Sequence, residues 1–136
     1  MFETYLTVVG RVITDVTQRT TSTGDKVCGF RMVSTERRYD RDEQQWRDGD
    51  KLFVNVTCWR RLGENVAVSV FKGDPVVVTG RLHLNEYQVN GESRTTLELE
   101  AKAIGPNLSA CTAMLQRPAR DGTDGERLAP SGVAAA

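Results

Sequence analysis

The residues best able to act on a ligand lie between Phe53 and Lys72. The run Phe53-Val54-Asn55-Val56-Thr57-Cys58-Trp59 alternates, and in a strand alternate side chains share a face. Phe53, Asn55, Thr57 and Trp59 therefore line one face, with an aromatic ring at each end, and Arg60 and Arg61 follow at once. Rings beside fixed positive charge suit a flexible, unpaired nucleic acid strand, because bases stack on the rings while phosphates meet the cations. Alternation alone leaves open which face is inside, so a core role for Phe53 and Trp59 is the competing reading. Tyr87 stands among Asn85, Glu86 and Gln88, is hard to bury, and reads as a further stacking residue. Tyr39 and Trp46 are the large apolar groups of a charged stretch, where they either stack bases or clip that stretch together. Arg37, Arg38, Arg60 and Arg61 adjoin these rings and are candidate phosphate contacts.

Other chemistries find less support. Asp40, Asp42 and Glu43 form an acidic group, but a catalytic carboxylate needs a shaped, partly dry site and this stretch reads as exposed. Cys28, Cys58 and Cys111 are far apart, with no Cys-x-x-Cys pair, and His83 is the sole histidine, so a tetrahedral zinc site is not expected. Cys28 and Cys58 read as small core residues of a reducing compartment. No nucleophile, base or metal set converges, so no enzyme activity, cofactor or metal is expected.

These residues need elements to hold them. Residues 4–19 are rich in Thr and Val and predict one long strand bent at Gly10. A turn at 20–25 leads to a second strand, Lys26 to Thr35, and residues 36–50 read as a long exposed hairpin arm. Lys51 to Cys58 forms the third strand. Leu62, Val66 and Val70 then change the period to that of a short amphipathic helix over 60–71. Pro75 to Gln88 is a fourth strand with a bend at Gly80, Asn90-Gly91 a tight hairpin turn, and Thr95 to Ile104 a fifth strand with Leu97, Leu99, Ala101 and Ala103 on one face. Five strands with a helix between the third and fourth fit the OB-fold barrel, an all-β architecture whose second and third strands and loops bind oligonucleotides or oligosaccharides.

A chain of 136 residues makes one domain and a tail. Residues 1–106 read as the OB-fold domain. Residues 107–136 read as a C-terminal extension, disordered for the most part, in which Leu108, Met114 and Leu115 could pack on a neighbouring subunit. Eighteen basic and eighteen acidic residues cancel, which argues against binding by bulk charge. The N-terminus has no basic start followed by an apolar run, so neither a signal peptide nor a membrane partner is expected, and a cytoplasmic, nucleoid-associated protein is.

The motifs Thr7-Val8-Val9-Gly10-Arg11-Val12, Leu52-Phe53-Val54-Asn55-Val56, Glu64-Asn65-Val66-Ala67, Lys72-Gly73, Val76-Val77-Val78-Thr79-Gly80-Arg81-Leu82 and Ile104-Gly105-Pro106 together resemble the bacterial single-stranded-DNA-binding proteins over residues 3–108. The run from Trp59 to Ala67 and Ile104-Gly105-Pro106 most resemble the actinobacterial branch. The resemblance implies a homotetramer of OB folds with single-stranded DNA wrapped around it. Phe53 and Trp59 match the family's third-strand stacking positions, Tyr87 the one on the outgoing arm, and Tyr39 lies near the remaining one. Arg61 and Lys72 match positions that are usually basic. Asn55 and Glu86 depart from the family, standing where many relatives carry a basic side chain, which weakens the expected phosphate grip. Asp121, Asp124 and Glu126 are balanced by Arg117, Arg120 and Arg127, so recruitment of repair proteins through an acidic tip is not expected. The chain resembles the shorter copy that some actinobacteria keep beside a full-length paralogue, which makes that paralogue a candidate partner. The rival to strand coating is an accessory OB-fold protein-interaction module, for replication restart, competence or chromosome segregation, with weak DNA binding.

Overall fold

A computed structural model describes residues 3–118. The alternating Val-rich runs form β1 (Thr4–Val12), β3 (Lys26–Asp40), β4 (Gln45–Trp59), β5 (Pro75–Val89) and β6 (Glu92–Pro106), with a short β2 (Thr17–Thr20) after β1 and one helix, α1 (Arg60–Ser69), between β4 and β5. β1 pairs with β5, β5 with β6, β6 with β4, β4 with β3, and β3 returns to β1 through Arg11↔Val33 and Val12↔Met32. That cycle closes the sheet on itself as a five-stranded OB barrel. All its pairings are antiparallel except β4 with β6, which is parallel.

Closure needs sharp bends, and two glycines sit where the chain approaches itself. A Cβ on Gly10 would overlap the Val33 carbonyl, and one on Gly80 would overlap the Glu100 carbonyl. The β5–β6 register slips beside Gly80, from Thr79↔Ala103 to Gly80↔Ala101, leaving Lys102 as the extra residue of a bulge. The bulge reverses the phase of β6. Leu99 and Ala101 are buried and Leu97 is partly packed, but Ala103, expected on the same face, is exposed, and Ile104 packs inward in its place.

The single strand expected over residues 4–19 is interrupted at 13–16, where the chain moves from its pairing with β5 to its pairing with β3. There the Thr14 hydroxyl accepts the Arg31 N–H at 2.9 Å, replacing a ladder carbonyl, and pairing resumes as β2. The hairpin arm is formed by the far halves of β3 and β4, with a register slip between Thr35 and Arg37. The second arm turns at Asn90-Gly91, both at positive φ, which joins Val89 directly to its partner Glu92.

Inside the ring, Val8, Phe30, Met32, Val54, Val56, Cys58, Val78 and Leu99 form the core. α1 covers it with Val66, joined by Val70 just past the helix end, and packs mainly on β3 and β4. Burial pushes the Cys58 thiol up to about 12 and raises the Cys28 thiol opposite it. After Pro106 the Asn107 N–H donates to the Pro75 carbonyl, and Leu108, Met114 and Leu115 are exposed. The rest of the expected tail, from residue 119, lies outside the described residues, as do Asp121, Asp124 and Glu126.

Candidate nucleic-acid interface

β4 is the central element. Its even positions Val54, Val56 and Cys58 enter the core, so Phe53, Asn55, Thr57 and Trp59 must face outward. Phe53 is 43 % exposed, and the Arg31 guanidinium carbon lies 5.1 Å from its ring centroid. Arg31 pairs in register with Asn55, two residue pairs from Val33↔Phe53 and on the same face, which brings the cation over the ring. Across the other edge, Asn55 pairs with Glu98 of β6, and its amide donates to Glu98 Oε2 at 2.9 Å. Thr96 donates to the same oxygen.

Trp59 is partly buried at the end of β4, where it lines an open hollow of about 590 Å³ with Thr21, Thr23, Asp25, Arg60, Leu62, Glu100, Ala101 and Lys102. Lys102 enters this wall because it is the bulged residue of β6, and its amine lies 3.6 Å from Glu100. Arg60 begins α1 and pairs with Asp25. A shallower hollow of about 350 Å³ adjoins the other flank of β4, lined in part by Thr17, Arg31, Asn55 and Thr57.

The arms carry the remaining aromatic candidates. Tyr39 and Trp46 stand directly opposite each other and meet edge to face, their centroids 5.4 Å apart at 69°. They clip the arm, yet Trp46 remains 60 % exposed. Tyr87, on the other arm, is 43 % exposed and pairs in register with Arg94.

The basic candidates divide into two groups. On the arm, Arg37 pairs with Asp48, and Arg38 with Glu36 and, at 3.1 Å, with Asp50. Arg47 joins Asp40 and Glu43 in the same way. Arg61 and Lys72 are exposed and take no ion-pair partner among the described residues. The structure thus brings Phe53, Trp59 and Arg60 onto one face of the barrel and sets Tyr39, Trp46, Arg37 and Arg38 out on one arm and Tyr87 on the other.

Sequence reasoning missed Arg31, Asp25, Glu98, Glu100 and Lys102. Strand alternation puts Arg31 on the face opposite Phe30, a signal the sequence does carry, but only the β3–β4 register sets it over Phe53. No local signal marked the β6 bulge that aims Lys102. Among the described residues no group of three or more His, Cys, Asp or Glu is placed to hold a metal ion, and no helix is long and apolar enough to cross a membrane.

Residues 4–106 match the single-strand binding protein family. A single-stranded DNA-binding protein of Corynebacterium glutamicum is 44 % identical over 121 residues, which cover 88 % of this chain and 54 % of that protein. The chain thus spans about half the length of that relative. One from Paenarthrobacter aurescens is 41 % identical over 90 % of this chain and 72 % of its own. Among solved structures, the small single-stranded DNA-binding protein from Streptomyces coelicolor superposes with a TM-score of 0.75 at 37 % identity, covering 81 % of this chain and 99 % of the other. The second single-stranded DNA-binding protein from Mycobacterium smegmatis gives 0.69 at 36 % identity, over 85 % and 100 %. A closed five-stranded barrel with aromatic rings outward on its central strand, matched over residues 4–106, makes this chain a member of the single-strand binding protein family.

Proposed function

We propose that the chain binds unpaired DNA without reading its sequence, coating and protecting strands during replication, recombination or repair, and that it does no catalysis. The observation that carries this is the outward placement of Phe53 and Trp59 on β4, with Val54, Val56 and Cys58 filling the core between them. Bases stack on Phe53, Trp59 and Tyr87, with Tyr39 and Trp46 extending the path along the first arm. Each stacked base contributes roughly 1–3 kcal/mol whatever its identity. Arg61 and Lys72 meet phosphates directly, and Arg37, Arg38 and Arg60 do so by exchanging their carboxylate partners for the strand.

The strand wraps a homotetramer, to which the full-length paralogue can contribute subunits, and its work lies on chromosomal DNA in the cytoplasm. The tetramer reading is supported by β1. Among the described residues Thr4 to Gly10 pair only with β5, and Tyr5 and Val9 are exposed beside that free edge. An edge of this kind is completed by another chain. The internal neutralisation of the first arm favours a second reading, the accessory protein-interaction module, because ion pairs already made there weaken its pull on phosphate.

Tryptophan fluorescence separates the two readings. Oligo(dT) should quench Trp59 strongly, duplex DNA should not, and part of the quenching should survive high salt. Equal response to duplex, or none to oligo(dT), moves the function to the interaction module. Light scattering on the purified chain tests the tetramer.

A further inference from the structure

One charged pair, Arg60 with Asp25, lines the Trp59 hollow. Arg60, the first residue of α1, has φ +56, a left-handed conformation that a side chain adopts at a cost. Trp59 before it is extended and makes no side-chain cap to the helix. Beyond this abrupt turn the Arg60 side chain rests on the β2–β3 connection, where Nε and Nη2 donate to the two carboxylate oxygens of Asp25 at 3.3 and 3.4 Å. These bonds are long for a charged fork, which closes at about 2.7–2.9 Å.

The two partners are not held equally. The Asp25 N–H donates to the Thr21 hydroxyl at 3.2 Å, its carbonyl accepts the Thr21 N–H at 2.8 Å, and its carboxylate accepts the Thr23 hydroxyl at 3.4 Å. Asp25 is a fixed post. Arg60 is a long arm loosely tied to it, its side chain 70 % exposed against 35 % for Asp25. The other cation of the hollow is matched likewise, Lys102 by Glu100.

We propose that Asp25 competes with DNA phosphate for Arg60, so that a strand reaching Trp59 must displace an internal carboxylate before it gains this cation. The inference rests on the reading that the Trp59 face holds the strand. A cation already neutralised adds little to the local potential that draws phosphate, and after exchange the stranded Asp25 repels the phosphate that replaced it. Asp25 thereby lowers both the affinity of the Trp59 end of the groove and its dependence on salt. It leaves that end to grip bases by stacking, while Arg61 and Lys72 attract the backbone.

The test is Asp25→Asn, which keeps the shape and removes the charge. Binding of a fluorescent oligo(dT) is titrated across a salt series for the wild type, Asp25→Asn, Arg60→Ala and the double variant. Asp25→Asn should bind several-fold more tightly at low salt, and the slope of log affinity against log salt should steepen by about 0.7, the value for one freed phosphate contact on a single strand. The double variant should fall back to the slope of Arg60→Ala. An unchanged or shallower slope in Asp25→Asn overturns the proposal, and so does a steeper slope that persists without Arg60, because the effect would then belong to net charge. Asp25→Ser repeats the comparison should the asparagine variant melt early. Trp59→Ala, titrated in parallel, reports on the groove reading by itself: unchanged affinity there removes stacking at Trp59, whatever the slopes of the Asp25 variants.

Discussion

Replacing Phe53 with alanine separates the binding role of the ring from its structural role. The ring is 43 % exposed, so slightly more than half of it is withdrawn from water on folding. Full burial of such a side chain stabilises by about 1.5–3 kcal/mol, so Phe53→Ala should cost folding only about 1–1.5 kcal/mol. Loss of the Arg31 contact adds about 0.5–1 kcal/mol, the worth of an exposed cation–π pair. Binding should suffer more. One stacked base is worth roughly 1–3 kcal/mol, a five-fold to more than hundred-fold loss of affinity per site. Phe53→Leu sharpens the contrast, since it keeps apolar volume over β4 and removes the π face: it should lose only the Arg31 contact in stability, about 0.5–1 kcal/mol, and bind nearly as poorly as alanine. The assay is anisotropy of labelled oligo(dT) at fixed salt, paired with urea unfolding of the same samples. Undiminished affinity in both variants would refute the argument that the outward face of β4 is the stacking surface. A leucine variant that binds like the wild type would show that apolar area, not the ring, is what the ligand uses.

Other expectations follow from the same geometry. Gly80→Ala drives a methyl into the Glu100 carbonyl at the β6 bulge and should cost about 1–3 kcal/mol in chemical denaturation, the usual range for overpacking; a neutral result would mean that the bulge relaxes freely. Arg61→Ala and Lys72→Ala should each flatten the salt slope of binding by about 0.7, whereas Arg37→Ala and Arg38→Ala, which also release carboxylates, should change it less. Equal changes in all four would show that the arm's ion pairs open without resistance. The thiols of Cys28 and Cys58 are buried and raised, so at neutral pH a thiol reagent should modify Cys111 alone in the folded chain and all three cysteines in denaturant. Because the folded pKa of Cys58 lies above the ordinary thiol value of 9.0, the unfolded chain ionises first. The stability this thiol supplies is complete below that value and is lost as pH rises toward about 12. Cys58→Val should flatten that alkaline decline in thermal midpoint, and an unaltered decline would assign it to other groups.

The alternation of β4 by itself determined that Phe53, Asn55, Thr57 and Trp59 share a face, because a strand has a period of two whatever surrounds it. Asn90-Gly91 determined the second arm's turn for an equally local reason, since few residues tolerate successive positive φ. The helix was legible in the spacing of Leu62, Val66 and Val70, though it ends at Ser69 rather than Phe71. The family motifs, dispersed over the whole barrel, carried the fold. Which face of β4 is outside was decided only by closure of the ring, because burial depends on what the other four strands bring to the interior. The split of the first strand, the β6 bulge that aims Lys102, the placing of Arg31 over Phe53 and the tie between Asp25 and Arg60 all arise from register between strands distant in the chain. Local sequence does not encode register, because a slip of one residue leaves every propensity unchanged and moves every side chain to the other face.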